Sequence, residues 1–502
     1  MVGVRQALLL TAAERYVVIS VNFLMIAVLA RLLTPEEFGF SVIGAATVAL
    51  AECLRDFGVS GYIVQQRHLT RHGTQTAFCV MLLLSILVAA AVWFAAGPMA
   101  SFYNKDGLRF YLEVTALSLL AGPFSGPPLA LMRRDMDFAK VAMVNVASGV
   151  VTAAVTVGLA ILGATYMSFA WGACAGALAA AILAVALRGE LWIFRPSLAD
   201  WRDTLSFGAY ASATGFLSKI YEFVPSLLLG RILDFTAVGL YSRAALVCQL
   251  PDKCLLTGLL PIALPAMAAE VRAGRSLKPV YLHGITYITA VQWPALIVLA
   301  FLAQPIVLLL LGEQWGAITP LVRIMALGLL LSFPTVLAYP LLVAAGGVRD
   351  TMLGSLIVLV LGGSLMTAAA FFGLFAMAFG WVAAVALQAG VSLYFLRRHI
   401  VFNAGELAGA LRKSAIVAAA SSAVPALAVA LNGFDFHLPI PVAIAVGAGA
   451  VLVWAISLKW TDHPLHAEAA LLLLAIRRAA ASARGMAARW SMRRRLRARG
   501  AD

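Results

Sequence analysis

Long apolar runs separated by short polar breaks repeat from one end of the chain to the other. A run of about 20 residues is enough for a helix to cross ~30 Å of hydrocarbon, and no break is long or rich enough to close a core of its own. The pattern predicts fourteen membrane helices, at about 10–33, 38–64, 75–97, 108–131, 140–162, 165–187, 205–230, 236–262, 281–303, 319–345, 351–372, 375–396, 413–431 and 440–459. The fifth and sixth runs are joined only by Gly163-Ala164, and the eleventh and twelfth only by Gly373-Leu374. That pairing is the same in both halves of the chain.

A second repeat marks the end of the first run in each half. Arg31–Gly39 reads RLLTPEEFG, and Arg231–Gly239 reads RILDFTAVG, followed by Leu240 and Tyr241. In both, an Arg closes an apolar run and a Gly falls eight positions later, before the next run begins. The segment reads as a hairpin between membrane helices. Its Arg reaches the headgroups, Thr34 caps the second helix, Pro35 occupies its first position and Glu36 and Glu37 its first turn. The Gly permits close packing. Recurrence at equivalent places points to internal duplication, a common origin of transporters. The fold class expected is an all-α polytopic membrane protein with two pseudo-symmetric six-helix lobes, 1–200 and 201–400. Helices 13 and 14 (401–460) are an appended pair, and 461–502 form a basic tail.

Composition agrees: 62% hydrophobic and 12% charged residues, with mean hydropathy +0.94, exclude a soluble globule, which carries roughly 25% charged residues. The net charge of +14 would suit a nucleic-acid partner, but its distribution follows membrane topology. With the N-terminus inside, eighteen Lys and Arg lie at inner ends and loops and six at outer ones (Arg31, Lys105, Arg109, Arg231, Arg243 and Arg323). This predicts both termini in the cytoplasm. The tail from about Asp462 reads as a basic amphipathic helix on the anionic inner leaflet, or more blandly as a topogenic tail. No small-residue cleavage site follows the first run, so it reads as a retained helix. The five cysteines, odd in number and without metal-like spacing, read as packing residues.

Ionised groups at bilayer depth are costly and face a partner or a watery cavity. Glu52, Arg55 and Asp56 share one face of helix two, and Lys219 and Glu222 lie one turn apart on helix seven, with Tyr210 and Tyr221 nearby. Helix eight carries Gln249, Asp252 and Lys253; helix one carries Arg15 and Asn22 on one face, with Glu14 beside them. Helices three to six and nine to twelve are almost purely apolar. The arrangement predicts a central polar cavity between helices one and two and their counterparts seven and eight; the plainer reading is of self-neutralised ion pairs that pin the packing. No Walker loop, metal-ligand spacing, Gly-x-Ser-x-Gly or dinucleotide fingerprint is present. We therefore expect neither an enzyme nor a bound metal or cofactor, and energy drawn from a gradient.

On the ARLLTPEEFG hairpin, the LGRILDFTAVGLYSRA segment with Leu259-Leu260-Pro261 and Leu264-Pro265, and the SFYN outer loop, the chain resembles the polysaccharide transporter branch of the multidrug/oligosaccharidyl-lipid/polysaccharide (MOP) exporter superfamily. These are Wzx-type O-antigen flippases and exopolysaccharide exporters of the bacterial cytoplasmic membrane. The resemblance covers roughly residues 7–400. It implies two lobes in a V, alternating access, and an oligosaccharide on undecaprenyl diphosphate flipped from the inner to the outer leaflet. It also implies membrane lipids as surroundings and a polysaccharide polymerase and chain-length regulator as partners. Arg15, Arg55, Lys219 and Lys253 would then offer charge to the diphosphate. Glu52, Asp56, Glu222 and Asp252, with Glu14, would partner these cations or a coupling ion, and Tyr210 and Tyr221 would contact sugars beside Asn22 and Gln249. The chain departs from the branch at Pro225, where an Asp is common, with Glu222 one turn earlier; helix one lacks the Asp of drug exporters. Alternative functions are a drug or cation exporter, a lipid II flippase of the same superfamily, or a membrane scaffold.

Overall fold

The computed structural model describes residues 2–66, 69–197 and 222–466, and the isolated positions 199, 201, 216, 219 and 220; for 2–9, 12 and 254–262 it describes the backbone alone. Among the described residues every regular element is helical. The first half contains α1 (Val2–Leu32), α2 (Pro35–Asp56), the short α3 (Val59–Gln65), α4 (Arg71–Tyr103), α5 (Gly107–Leu119), α6 (Gly122–Arg134), α7 (Phe138–Ile161) and α8 (Met167–Arg188). The second half opens with α9 (222–232), followed by α10 (Phe235–Arg272), α11 (Leu277–Phe301), α12 (Ala303–Leu310) and a 3-10 turn, Glu313–Ile318. A broken span follows, α13 (Thr319–Leu329), α14 (Phe333–Val336) and α15 (Ala338–Ala344), and then α16 (Val348–Ile357), a π-helical turn (Val358–Gly362), α17 (Gly363–Ala370) and α18 (Leu374–His399). The chain continues with α19 (Ala404–Leu431) and α20 (Ile440–Trp460).

Eleven helices among the described residues are long and apolar enough to cross a membrane, and a twelfth span results if α5 and α6, bent by 42°, count as one. Of the fourteen expected runs, 205–230 lies largely outside the described residues, and 236–262 is the front of the 38-residue α10. Two of the interrupted runs lie in the first half. The run 38–64 stops at Asp56, where Phe57 (φ 39°) and Gly58 (φ 67°) take left-handed backbone before α3 resumes. The run 108–131 breaks at Leu120-Ala121, because Gly122-Pro123 starts a new helix that also carries Pro127 and Pro128. A proline ring needs no N–H donor in the first turn, so a fresh start suits it better than an unbroken helix.

The hairpin chemistry is local and visible in the atoms. Thr34 N–H donates to Glu37 Oε2 at 2.7 Å, and Glu37 N–H donates to Thr34 Oγ1 at 3.4 Å, a reciprocal capping box with Pro35 as the first helical residue. In the second half Asp234 fills the cap position and accepts from Ala237 N–H at 2.6 Å. Tight packing within the first half rests on small residues. Thr152 and Thr156 of α7 lie against Gly172 and Gly176 of α8, where added methyl groups would overlap the two hydroxyls.

Candidate functional site: a polar cavity in the first half

Four of the ionised or polar residues singled out from the sequence come together. Glu14, Arg15 and Asn22 of α1 and Glu52 of α2 line one cavity of about 610 Å³, closed on the other side by α7 and α8. The far wall supplies Asn145, Ser148 and Thr152, one face of α7, with Gly176 and Ala177 of α8 opposite. Asn145 Nδ2–H donates to Glu14 Oε1 at 2.6 Å, a charge-assisted bond that fixes the carboxylate against α7. The hydroxyls of Ser148 and Thr152 donate to the carbonyls of Asn145 and Ser148 at 3.1 and 2.9 Å, so they present acceptor lone pairs to the cavity. Arg15 is exposed and gives the cavity a cation.

In the last turn of α2, Arg55 Nη1 sits 3.9 Å from Glu52 Oε1 and donates to the carbonyl of Leu119 at 3.5 Å. It occupies the α5–α6 break, where Gly122 leaves room that a methyl group would take from the guanidinium. A cation at the C-terminus of α5 also meets the negative end of that helix. Arg55 is thus partly a brace. Asp56 turns the other way and accepts from Ser60 Oγ–H of α3 at 2.6 Å.

The second-half residues do not line this cavity. Lys219 donates to Glu222 Oε2 at 2.7 Å, and both side chains are exposed. Gln249 is exposed. Asp252 faces inward and accepts from the fully buried Gln292 Nε2 of α11 at 2.8 Å; the same nitrogen lies 3.3 Å from Ser332 Oγ. Tyr210 and Tyr221 lie outside the described residues.

Three features escape a search for ionised groups. The first is the amide-and-hydroxyl face Asn145/Ser148/Thr152, readable as a polar i, i+3, i+7 stripe on an apolar helix. The second is Gln292, a lone amide whose partners are 40 residues away on either side. The third is Arg243, which the charge count places at an outer end. It is only 8% exposed and lies 4.6 Å over the ring of Phe38, and its Nε and Nη1 make no hydrogen bond.

The halves meet at the hairpin end of α2. α2 packs against α10, the most extensive contact between the two halves among the described residues. A methyl group on Gly39 would overlap the carbonyl of Phe235, the first residue of α10; one on Gly239 would overlap the carbonyl of Pro35, the first residue of α2. Around it, Trp315 Nε1–H donates to the carbonyl of Ala30 at 2.7 Å, and Gln314 donates to Ala30 and Leu33. Arg31 donates to Leu309 O at 3.0 Å, and Tyr103 Oη–H to Leu227 O at 3.3 Å. Phe38 meets Trp315 edge to face at 5.3 Å, and Phe40 meets Phe235 in the same way at 4.7 Å. All of these lie at the hairpin ends.

Comparison with known proteins is consistent with this arrangement. A family model described as polysaccharide biosynthesis protein matches residues 28–320. The chain is 26% identical over 331 residues to the lipopolysaccharide biosynthesis protein WzxC of Escherichia coli (strain K12), covering 64% of this chain and 66% of that protein. It is 23% identical over 326 residues to the succinoglycan biosynthesis transport protein ExoT of Rhizobium meliloti (strain 1021), covering 63% and 65%. The chain thus spans just under two thirds of the length of these relatives. In fold it is similar to the lipid II flippase MurJ in an inward closed conformation (TM-score 0.71, 12% identity, 89% of this chain and 97% of that one). It is also similar to an inward-facing multidrug resistance MATE transporter of the MOP superfamily (TM-score 0.62, 15% identity, 76% and 94%).

Proposed function

The chain belongs to the polysaccharide biosynthesis protein family, in the polysaccharide transporter branch of the MOP exporter superfamily, and from that premise we propose that it flips an undecaprenyl-diphosphate-linked oligosaccharide. In this reading the substrate passes from the inner to the outer leaflet of the bacterial cytoplasmic membrane by alternating access between two lobes. Both termini and the basic tail are then cytoplasmic, and the hairpin ends face outward.

The observation that carries the reading is the grouping of Arg15, Glu14, Asn22, Glu52 and Asn145 around one cavity. A diphosphate leaving water needs cations and hydrogen-bond donors, and a sugar needs amides and hydroxyls. The cavity offers both. Glu14 and Glu52 keep the empty cavity from accumulating positive charge and are available to a coupling proton or cation. Asp252, held by Gln292, plays a comparable part in the second half.

Arg15 provides the cleaner test, because Arg55 also braces the α5–α6 break. In a strain lacking the chromosomal copy, Arg15→Ala and Lys219→Ala should each reduce surface polysaccharide at least tenfold at unchanged protein level, and lipid-linked precursor should accumulate inside. Wild-type polysaccharide in both variants would remove the reading.

A further inference from the structure

A second cavity, of about 260 Å³, lies in the second half and shares no residue with the site above. Its walls are α14 and α15 of the broken span, α16 with the π-helical turn, and the C-terminal part of α18. Two interruptions of regular helix therefore face one space, the setting in which irregular backbone at membrane depth is tolerated. Its polar lining includes Thr335, Asp350, Thr351, Ser355, Gln388 and Ser392, and none of its lining residues is Lys or Arg. Thr335, Thr351 and Ser355 donate their hydroxyl protons to carbonyls three or four residues back, at 2.7, 3.1 and 3.0 Å, so their oxygens offer lone pairs. Asp350 accepts from His399 Nε2–H at 2.8 Å, and Arg398 Nη1 stands 3.5 Å away; a carboxylate has about four acceptor positions, so capacity remains. The first half is different at this place. In chain order α5–α6 and α8 correspond to the broken span and α18, and the groove between them has only apolar residues, among them Leu117, Phe124, Leu178, Ile182 and Val185. Packing here does not require a carboxylate and a row of hydroxyls.

We propose that this second cavity binds the headgroup of an ethanolamine phospholipid. A space rich in acceptors, with one carboxylate and no cation in its lining, suits a primary ammonium, whose N–H donors match Asp350 and the hydroxyl oxygens. The depth is right for a headgroup. Asp350 lies in the first turn of α16 and His399 is the last residue of α18, so the polar end sits at helix ends, toward the cytoplasmic leaflet in the orientation proposed above. Arg398 is exposed beside Asp350 and meets the phosphate. A carboxylate next to a guanidinium is the electrostatic complement of a zwitterion. Leu356 of α16 and Val360 of the π-helical turn are exposed and receive the acyl chains. The inference goes beyond the transport reading and needs only that these helices lie in a membrane.

Native mass spectrometry of the full-length protein tests this, with titration in detergent by dioleoyl phosphatidylethanolamine and its N-methylated series up to phosphatidylcholine. These lipids share net charge and chains and differ in N–H donors. The ethanolamine lipid should bind at least tenfold more tightly than phosphatidylcholine, with the partly methylated lipids between them. Thr351→Val combined with Ser355→Ala removes two acceptors, leaves the Asp350–His399 contact in place, and should cut the preference severalfold. Ser392→Leu, which fills the space, should abolish it. Equal affinity along the series in the unmodified protein would overturn the proposal. A preference that survives intact in both variants belongs to another surface and would overturn it too. If one variant fails to accumulate, the other decides. Glycerophosphoethanolamine, the same headgroup without chains, should compete only at far higher concentration; competition at equal concentration would make the ligand a soluble amine and overturn the lipid assignment. The readout involves no transport, so loss of the transport reading leaves it unchanged.

Discussion

Replacing Gln292 by Leu tests whether Asp252 is held as a carboxylate by a buried amide. Gln292 Nε2 donates to Asp252 Oδ1 at 2.8 Å with no exposure of its own, so the substitution leaves the carboxylate without that donor. A hydrogen bond to a charged group contributes about 1.5–3 kcal/mol, whereas a neutral one contributes about 1 kcal/mol. For a cooperative unit of 150–250 residues each kcal/mol moves the midpoint by about 2–4 °C, so Gln292→Leu should lower the midpoint in detergent by about 3–12 °C. The leucine also removes the amide oxygen of Gln292, which has no partner and whose loss offsets part of the cost. A double-mutant cycle cancels that contribution, since it is common to both backgrounds. In an Asp252→Asn background the same change should cost only about 2–4 °C, a coupling of about 1 kcal/mol. Thermal unfolding of the four purified proteins, followed by intrinsic fluorescence, measures it. Equal shifts in the two backgrounds would show that Gln292 serves Ser332 or the packing instead, and Asp252 would lose its assigned partner.

Trp315 is fully buried and bridges the halves through its indole N–H; Trp315→Phe should cost about 1 kcal/mol and Trp315→Ala about 3–5 kcal/mol of the closed contact. Both should lower the thermal midpoint of the purified protein, the alanine variant more than the phenylalanine one, and a reversed order would contradict the role of the ring in filling the contact. His463, beyond the end of α20, is 2% exposed; its Nδ1 accepts from Leu465 N–H at 3.1 Å while Nε2 lies 3.3 Å from Ser414 Oγ. Both contacts suit the neutral ring, and burial, followed by the nearby Lys413 charge, holds its pKa below the ordinary 6.5. The unfolded segment therefore binds the proton first. The stability this contact contributes is complete above about pH 6.5 and declines as pH falls through the lowered value of the folded state. Amide exchange at Leu465 should accelerate on acidification over that range, and a His463→Gln protein should show no such step.

The membrane helices were legible because apolar runs of sufficient length are a local property. The hairpin was legible for the same reason, since Thr34, Pro35 and Glu37 complete a cap within four positions. Breaks inside runs were not. Gly122 and Pro123 do not interrupt hydropathy, so the run 108–131 conceals the 42° bend that only backbone sterics impose. The site was half legible. Glu14, Arg15, Asn22 and Glu52 announce themselves by charge or amide, and α1 and α2 bring them together. Asn145, Ser148 and Thr152 were hidden because hydroxyls and small amides barely change the mean hydropathy of α7. Gln292 and Arg243 were beyond reach for another reason: the partner of one and the aromatic support of the other come from distant elements, and no local pattern encodes that meeting. Asp252 illustrates the difference, since its helix position was readable and its partner on α11 was not.

The mutual seating of Gly39 and Gly239 bears on how such a chain can be re-engineered. A designer would be tempted to exchange residues 1–200 wholesale for those of a relative. At this crossing each segment serves as mould and casting for the other, so a chimaera succeeds only if the incoming piece brings both its own bare position and an unobstructed first turn to fit the resident one.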